Sequence, residues 1–282
     1  MMKFIFAILL SGFLFAQSVH TNKDVQICKS KFKFAETNNL REKPVREIFI
    51  EVAKSFIGLD YAANTLQNEN EEKLKIHLSG MDCYTFLEAS LVFARLIKSD
   101  KNTFPEFEKE IENIRYRNGV MKSYPSRLHY FSDWLFDMDK RKILKLISED
   151  IGGEKYSKQV NFMSKHPQYY KELKNNSEFV EEMCCIENEI NSRKYFYIPQ
   201  NKINSVEGEI KSGDIIGITT NIKGLDISHV GIAVKQNGRI HFLHAPNVGK
   251  KIQITKIPLA EYIQKNKKQT GIMVARILEL EK

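Results

Sequence analysis

Asn237-Gly238, set between two runs of alternating apolar and polar residues, constrains the fold of this chain more than any other dipeptide. A two-residue loop of this composition accepts positive φ at both positions and joins antiparallel strands directly, so Gln236 must face Arg239. Counting outward along that ladder sets His241 opposite Val234, Gly231 opposite His244 and His229 opposite Pro246. Side chains alternate between the faces of a strand, so His229 and His244 share one face as diagonal neighbours and His241 points to the other. Gly231, lacking a side chain, is expected to leave room beside His244.

The hairpin belongs to a C-terminal part that reads as strand, with β patterns near 194–198, 214–219, 229–234, 239–244, 251–257 and 271–278 and one helix over 259–267. Upstream the period is helical. Pro44 opens an amphipathic helix through Val45, Ile48, Phe49, Val52 and Phe56 that Gly58 ends, and further helices are predicted over 104–116, 128–137 and 177–192. The stretch 19–43 is mixed and polar, with a short helix near Lys31. Helices first and an antiparallel sheet second make an α+β chain. No repeat or low-complexity linker divides it, so residues 19–282 read as one domain with helical additions.

One helix start carries chemistry. In Gly80-Met81-Asp82-Cys83-Tyr84-Thr85-Phe86, Asp82 reads as the N-cap and Cys83 as the first helical residue, while Phe86, Leu87, Leu91, Ala94 and Ile97 form a buried stripe. The thiol then sits at the positive end of a helix dipole, which favours the thiolate that attacks carbonyl carbon. Asp82 is expected to set the position of the sulfur more than its charge, because a carboxylate opposes ionisation of a neighbouring thiol. A single cysteine on a helix is ordinarily a small buried hydrophobe. Two histidines on one strand face change that weighting, because a cysteine nucleophile needs one imidazole as base and a second polar group to fix the first one's tautomer. A zinc site is the rival, but no third ligand lies at a usual spacing and His241 faces away, so no metal is predicted.

Residues 1–18 carry Lys3, apolar runs over 4–10 and 13–16, and the small-x-small step Ala16-Gln17-Ser18, which is the pattern of a secretory signal peptide. No later segment is apolar enough to span a bilayer, so export without stable membrane insertion is expected, with the periplasm as destination. Cys28 lies well past the cleavage step, which argues against a lipid anchor. With Cys83 free, Cys28 either pairs with Cys184 or Cys185 or all three stay reduced, and spacing leaves both open. The formal charge of +8, one less without Lys3, comes from Lys and Arg mixed with acids and apolar residues. No basic run is interleaved with stacking aromatics, so a nucleic-acid partner is not predicted, and the charge reads as a solvated face attracting acidic substrates.

Met81-Asp82-Cys83 heading a helix, Ile227-Ser228-His229-Val230-Gly231-Ile232-Ala233 and Phe242-Leu243-His244-Ala245 resemble the NlpC-type superfamily of papain-like cell-wall cysteine peptidases. Within it they are similar to the N-acetylmuramoyl-L-alanine amidase-like family. Further segments carry the resemblance along most of the chain: Arg127 to Trp134, Tyr197-Ile198-Pro199, Gly213 to Ile216 and Lys267 to Met273. Ala245-Pro246 departs from the family's usual Ala-Ser. The resemblance implies a papain-like fold with Cys83 as nucleophile, His229 as base and His244 as orienter. It also implies Tyr61 as an oxyanion donor, although Tyr61 follows Asp60 where proline is usual. The implied substrate is a muropeptide from peptidoglycan, cut between N-acetylmuramic acid, as its 1,6-anhydro form, and L-alanine, with no cofactor.

Tyr84, Arg127, His129, Tyr130, Trp134 and Asp226 are the expected substrate-cleft residues, with core packing the competing role for Tyr130 and Trp134. Two other functions compete with the amidase. One is a γ-D-glutamyl-diamino acid endopeptidase cutting the stem peptide. The other is a non-catalytic peptidoglycan-binding module, which the intact cysteine and histidines argue against.

Overall fold

A computed structural model describes residues 18–67, 71–247 and 250–280. The leader expected over 1–18 lies, Ser18 apart, outside them. Among the described residues no helix is long and apolar enough to cross a membrane.

The N-terminal half is helical. Helix α1 (Asn22–Thr37) begins on Thr21, which forms a capping box with Asp24, and buries Cys28, Phe32 and Ala35. Those three positions are one narrow stripe at helical spacing, and the remaining polar faces are why the sequence predicts only a short helix near Lys31. Helix α2 (Val45–Lys54) follows Pro44, α3 (Cys83–Lys98) follows Asp82, and α4 (Phe104–Arg115) starts on a Thr103–Glu106 capping box. Helix α5 (Phe131–Lys140) begins three residues later than the periodicity predicts, since 128–130 are extended and antiparallel bridging joins Arg127 to Tyr116. Strands β1 (Leu144–Leu146) and β2 (Glu154–Tyr156) are too short to show alternation and escape sequence detection. Two single turns, α6 (Phe162–Lys165) and α7 (Lys171–Lys174), precede α8 (Ser177–Ser192), whose bounds match expectation.

The sheet occupies the rest. Strand β3 (Tyr195–Pro199) leads through the turn α9 (Ile203–Val206) to β4 (Ile215–Thr220), β5 (Ile227–Gln236), β6 (Arg239–His244) and β7 (Gln253–Ile254). Helix α10 (Leu259–Gln264) and strand β8 (Gln269–Ile277) complete the chain. The strands are antiparallel neighbours in the order β2-β3-β8-β4-β5-β6-β7, with β1 also on β8. The expected strand over 251–257 shrinks to two residues on the edge.

The hairpin register is the one that Asn237-Gly238 dictates. Gln236 faces Arg239 and the pairs run to Ile232–Leu243, with φ of 49° at Asn237 and 81° at Gly238. Alternation then divides the strands between two cores. Val230, Ile232, Val234 and Leu243 join the helices α2 to α5 in the larger one, while Ala233, Ile240 and Phe242 pack with α10 in the smaller. His229 and His244 therefore project on the α10 side. The space beside Gly231 is filled: a Cβ there would lie 2.6 Å from the Leu243 carbonyl oxygen and 2.7 Å from the Phe242 ring. The glycine accommodates Phe242 and the neighbouring backbone, in place of the gap beside His244 that the sequence suggests.

Candidate active site

Cys83 is the first residue of α3, and its position follows from the cap. Asp82 Oδ1 accepts the backbone N–H groups of Tyr84 at 3.1 Å and Thr85 at 2.8 Å, satisfying two donors that a helix start leaves orphaned. Helix α3 is buried along nearly its whole length and packs against β5, so the cap delivers the sulfur to the sheet. The backbone N–H of Val230 on β5 lies near enough to favour the thiolate. Burial, and then the Asp82 charge, push the thiol up to about 12. The helix-end preference for thiolate is thus outweighed here: desolvation penalises the charged form more than the dipole stabilises it.

His229 Nε2 lies 2.7 Å from His244 Nδ1, with the two rings 80° apart. Burial lowers His229 to about 4 and, with the adjacent His229, His244 to about 3. Both imidazoles are neutral near pH 7, so one nitrogen of the pair donates and the other accepts. Tyr262 of α10 packs edge-on against His244 at 5.3 Å between centroids, and Phe242 covers it from the strand. His241 turns away, its Nδ1 2.8 Å from the Thr255 carbonyl oxygen.

A cavity of about 620 Å³ brings Tyr61, Cys83, His229, His244, Tyr262 and Gln269 together. That is ample for a small organic ligand. Among the described lining residues there is no carboxylate, and Lys256 supplies a cation. Burial raises the hydroxyl pKa of Tyr61 and Tyr262, and both sit near enough to Cys83 that a thiolate there raises it further. Among the described residues no cluster of three or more His, Cys, Asp or Glu is placed to hold a metal.

The other expected cleft residues divide. Tyr84, Arg127 and His129 line another cavity, of about 290 Å³, that has Asp82 in its lining. There the Tyr84 hydroxyl donates to the Leu128 carbonyl at 2.8 Å and Arg127 forms a fork to Glu72, with Nε at 2.9 Å and a terminal nitrogen at 2.7 Å. Burial, then Arg127, lowers His129 to about 3. Tyr130, Trp134 and Asp226 are interior, at 2%, 0% and 1% exposure. Trp134 Nε1 donates to the Ile114 carbonyl, Tyr130 donates to Glu187, and Asp226 accepts the Ser132 N–H, so core contacts take the place of the expected substrate contacts. Tyr262 and Gln269 are not legible as site residues in the sequence, because helix pattern and strand pattern place them without saying which way they look. The four cysteines are free, with Cys28 buried and Cys184 and Cys185 exposed, so the alternative of reduced thiols is the one the structure takes.

A family model for N-acetylmuramoyl-L-alanine amidase-like proteins matches residues 51–272, which contain α3, the hairpin and both cavities. The chain belongs to that family. A comparison with curated proteins finds no match. Among solved structures, the amidase-like chain is similar to an N-acetylmuramoyl-L-alanine amidase from Bacteroides uniformis, with 32% identity, a TM-score of 0.78 and coverage of 83% of this chain and 99% of that one. A Bacteroides fragilis structure named as a candidate xylanase is similar at 35% identity and TM-score 0.76, covering 80% and 99% of the two chains. A Legionella pneumophila protein, at 20% identity and TM-score 0.68 over 92% and 97%, shares the fold.

Proposed function

We propose that this protein is a cysteine amidase of peptidoglycan fragments, exported to the periplasm, that cuts the amide between N-acetylmuramic acid and L-alanine. The observation that carries the reading is the His229–His244 hydrogen bond in a cavity that also holds Cys83 at a helix start. A cysteine acyl transferase needs a nucleophile, a base and a group that orients the base, and these three residues supply them. The xylanase name of one relative does not transfer, since glycoside hydrolysis calls for a pair of carboxylates across the scissile bond and no carboxylate lines this cavity among the described residues.

His229 carries its proton on Nε2 and donates it to His244 Nδ1, which leaves His229 Nδ1 as the base. Because thiol and imidazole rest neutral, proton transfer accompanies attack: the Cys83 sulfur bonds to the lactyl carbonyl carbon as its proton passes to His229. The Tyr61 hydroxyl and the Cys83 N–H donate to the developing oxyanion. His229 then protonates the nitrogen as the C–N bond breaks and the L-alanine amine departs. Water adds to the thioester, returns its proton through His229 and releases the muramic acid carboxylate and the free thiol.

Mass spectrometry of products from N-acetylmuramoyl-L-alanyl-γ-D-glutamyl-diaminopimelate, and from its 1,6-anhydro form, tests the bond and the sugar preference. Release of an intact peptide beginning with L-alanine is expected, faster from the anhydro sugar. A dipeptide left on the sugar would instead identify a γ-D-glutamyl endopeptidase. Unchanged turnover in Cys83→Ala would remove the cysteine mechanism.

A further inference from the structure

The start of α3 divides two cavities. Cys83 lines the larger, while its neighbours on either side in sequence, Asp82 and Tyr84, line the smaller. The loop before the helix repeats the division, with Tyr61 in the larger cavity and Asn64, Thr65 and Gln67 in the smaller. A substrate whose carbonyl carbon meets the Cys83 sulfur therefore has one half available to each cavity.

The two linings differ in chemistry. The smaller one is aromatic, with Tyr124, Tyr169 and Tyr170, and carries planar polar side chains in Asn64 and Gln67. Tyr169 is 67% exposed and stacks parallel to His166, with centroids 5.6 Å apart and planes 1° apart. A ring backed on one side and wet on the other is a platform for the apolar face of a sugar.

Charge sorts the halves. The smaller cavity has Asp82 in its lining, and the cation of Arg127 there is matched by Glu72. The larger presents Lys256 and no carboxylate among its described lining. Once its lactyl carboxyl is in the amide, the muramoyl half of the substrate is neutral, whereas the peptide half carries free carboxylates. We infer that the smaller cavity is the carbohydrate subsite, with Tyr169 as stacking platform and Gln67 and Asn64 as hydrogen-bonding groups, and that the acidic peptide lies along the larger cavity past Lys256. This assignment takes the identity of the substrate from the amidase reading.

N-acetylmuramoyl methylamide, a neutral probe without peptide, tests it by calorimetry on the full-length Cys83→Ala protein. Binding is expected, weakened roughly tenfold by Tyr169→Ala and restored by Tyr169→Phe. In the active protein, Tyr169→Ala should raise KM for N-acetylmuramoyl-L-alanyl-D-isoglutamate by a similar factor with a much smaller change in kcat. Failure of the probe to bind, or binding lost on Lys256→Ala and kept on Tyr169→Ala, overturns the assignment. If wild-type protein binds the probe yet releases no alanyl peptide, the amidase reading fails while the subsite stands.

Discussion

Asp82 and Thr85 hold each other from both directions: Asp82 Oδ1 accepts the Thr85 N–H at 2.8 Å, and Thr85 Oγ1 accepts the Asp82 N–H at 3.0 Å. This reciprocal pair fixes where α3 begins and hence where the Cys83 sulfur lies. An asparagine keeps the accepting oxygen and discards the charge that opposes thiolate formation. Asp82→Asn should therefore melt close to wild type and show a lower thiol pKa when alkylation by iodoacetamide is followed against pH. Asp82→Ala loses the cap and should cost roughly 1 kcal/mol in chemical denaturation. An Asp82→Asn protein that is folded and inactive would mean that the carboxylate charge itself takes part in turnover.

The His229–His244 bond gives a second expectation. Cys83 is pushed up to about 12 and His229 down to about 4, so neutral thiol and neutral imidazole coexist throughout the range between. Activity limited by these groups should form a broad plateau across neutral pH and fall on the acid side only as His229 protonates near 4. A preformed thiolate–imidazolium pair would instead give a narrow bell and rapid alkylation at neutral pH. His244→Ala removes the acceptor that sets the His229 tautomer, and kcat should drop about 100-fold with a smaller change in KM.

Much of this geometry is legible in the chain because it is local. The Asn237-Gly238 turn sets the hairpin register, the register sets the histidine pair, and Asp82 sets the helix start. Features that depend on long-range packing are not legible. Tyr130 and Trp134 lie in an aromatic stretch that looks like a cleft, and Asp226 precedes the strand of His229, yet their partners Glu187, Ile114 and Ser132 are distant in sequence. The thiol pKa escapes for the same reason, since α3 alone argues for thiolate and only the burial of its first turn against β5 reverses that. Tyr262 reaches His244 from a helix whose pattern places it in the chain without orienting it against the sheet.

Gly231 offers a test of packing next to the histidines. A Cβ at this position would meet the Leu243 carbonyl oxygen at 2.6 Å, and a backbone atom in the middle of a hairpin has little freedom to retreat. Gly231→Ala should destabilise the protein by roughly 1–3 kcal/mol in urea unfolding. Because the same clash pushes β5 from β6, it should also lengthen the His229–His244 bond. The shared imidazole proton then gives a direct readout, its NMR resonance moving upfield or vanishing in the variant.

His129 couples pH to the stability of the fold. Burial, then Arg127, lowers it from an ordinary 6.5 to about 3, so the folded chain leaves it neutral at a pH where the unfolded chain protonates it. Stability from this site is whole above 6.5 and is lost progressively as pH falls towards 3, because the unfolded state binds the extra proton. His229 and His244, lowered to about 4 and about 3, act in the same direction over nearly the same range. His129→Gln retains a donor for the Tyr124 carbonyl, which lies 2.8 Å from the imidazole Nε2, and removes one titrating group. Between pH 6 and pH 4, the variant's unfolding free energy should therefore fall less steeply than wild type's, by about 1.4 kcal/mol per pH unit. Equal slopes in the two proteins would show that His129 takes up its proton in the folded state, and that the cavity it lines with Arg127 and Tyr84 is wetter than its burial implies.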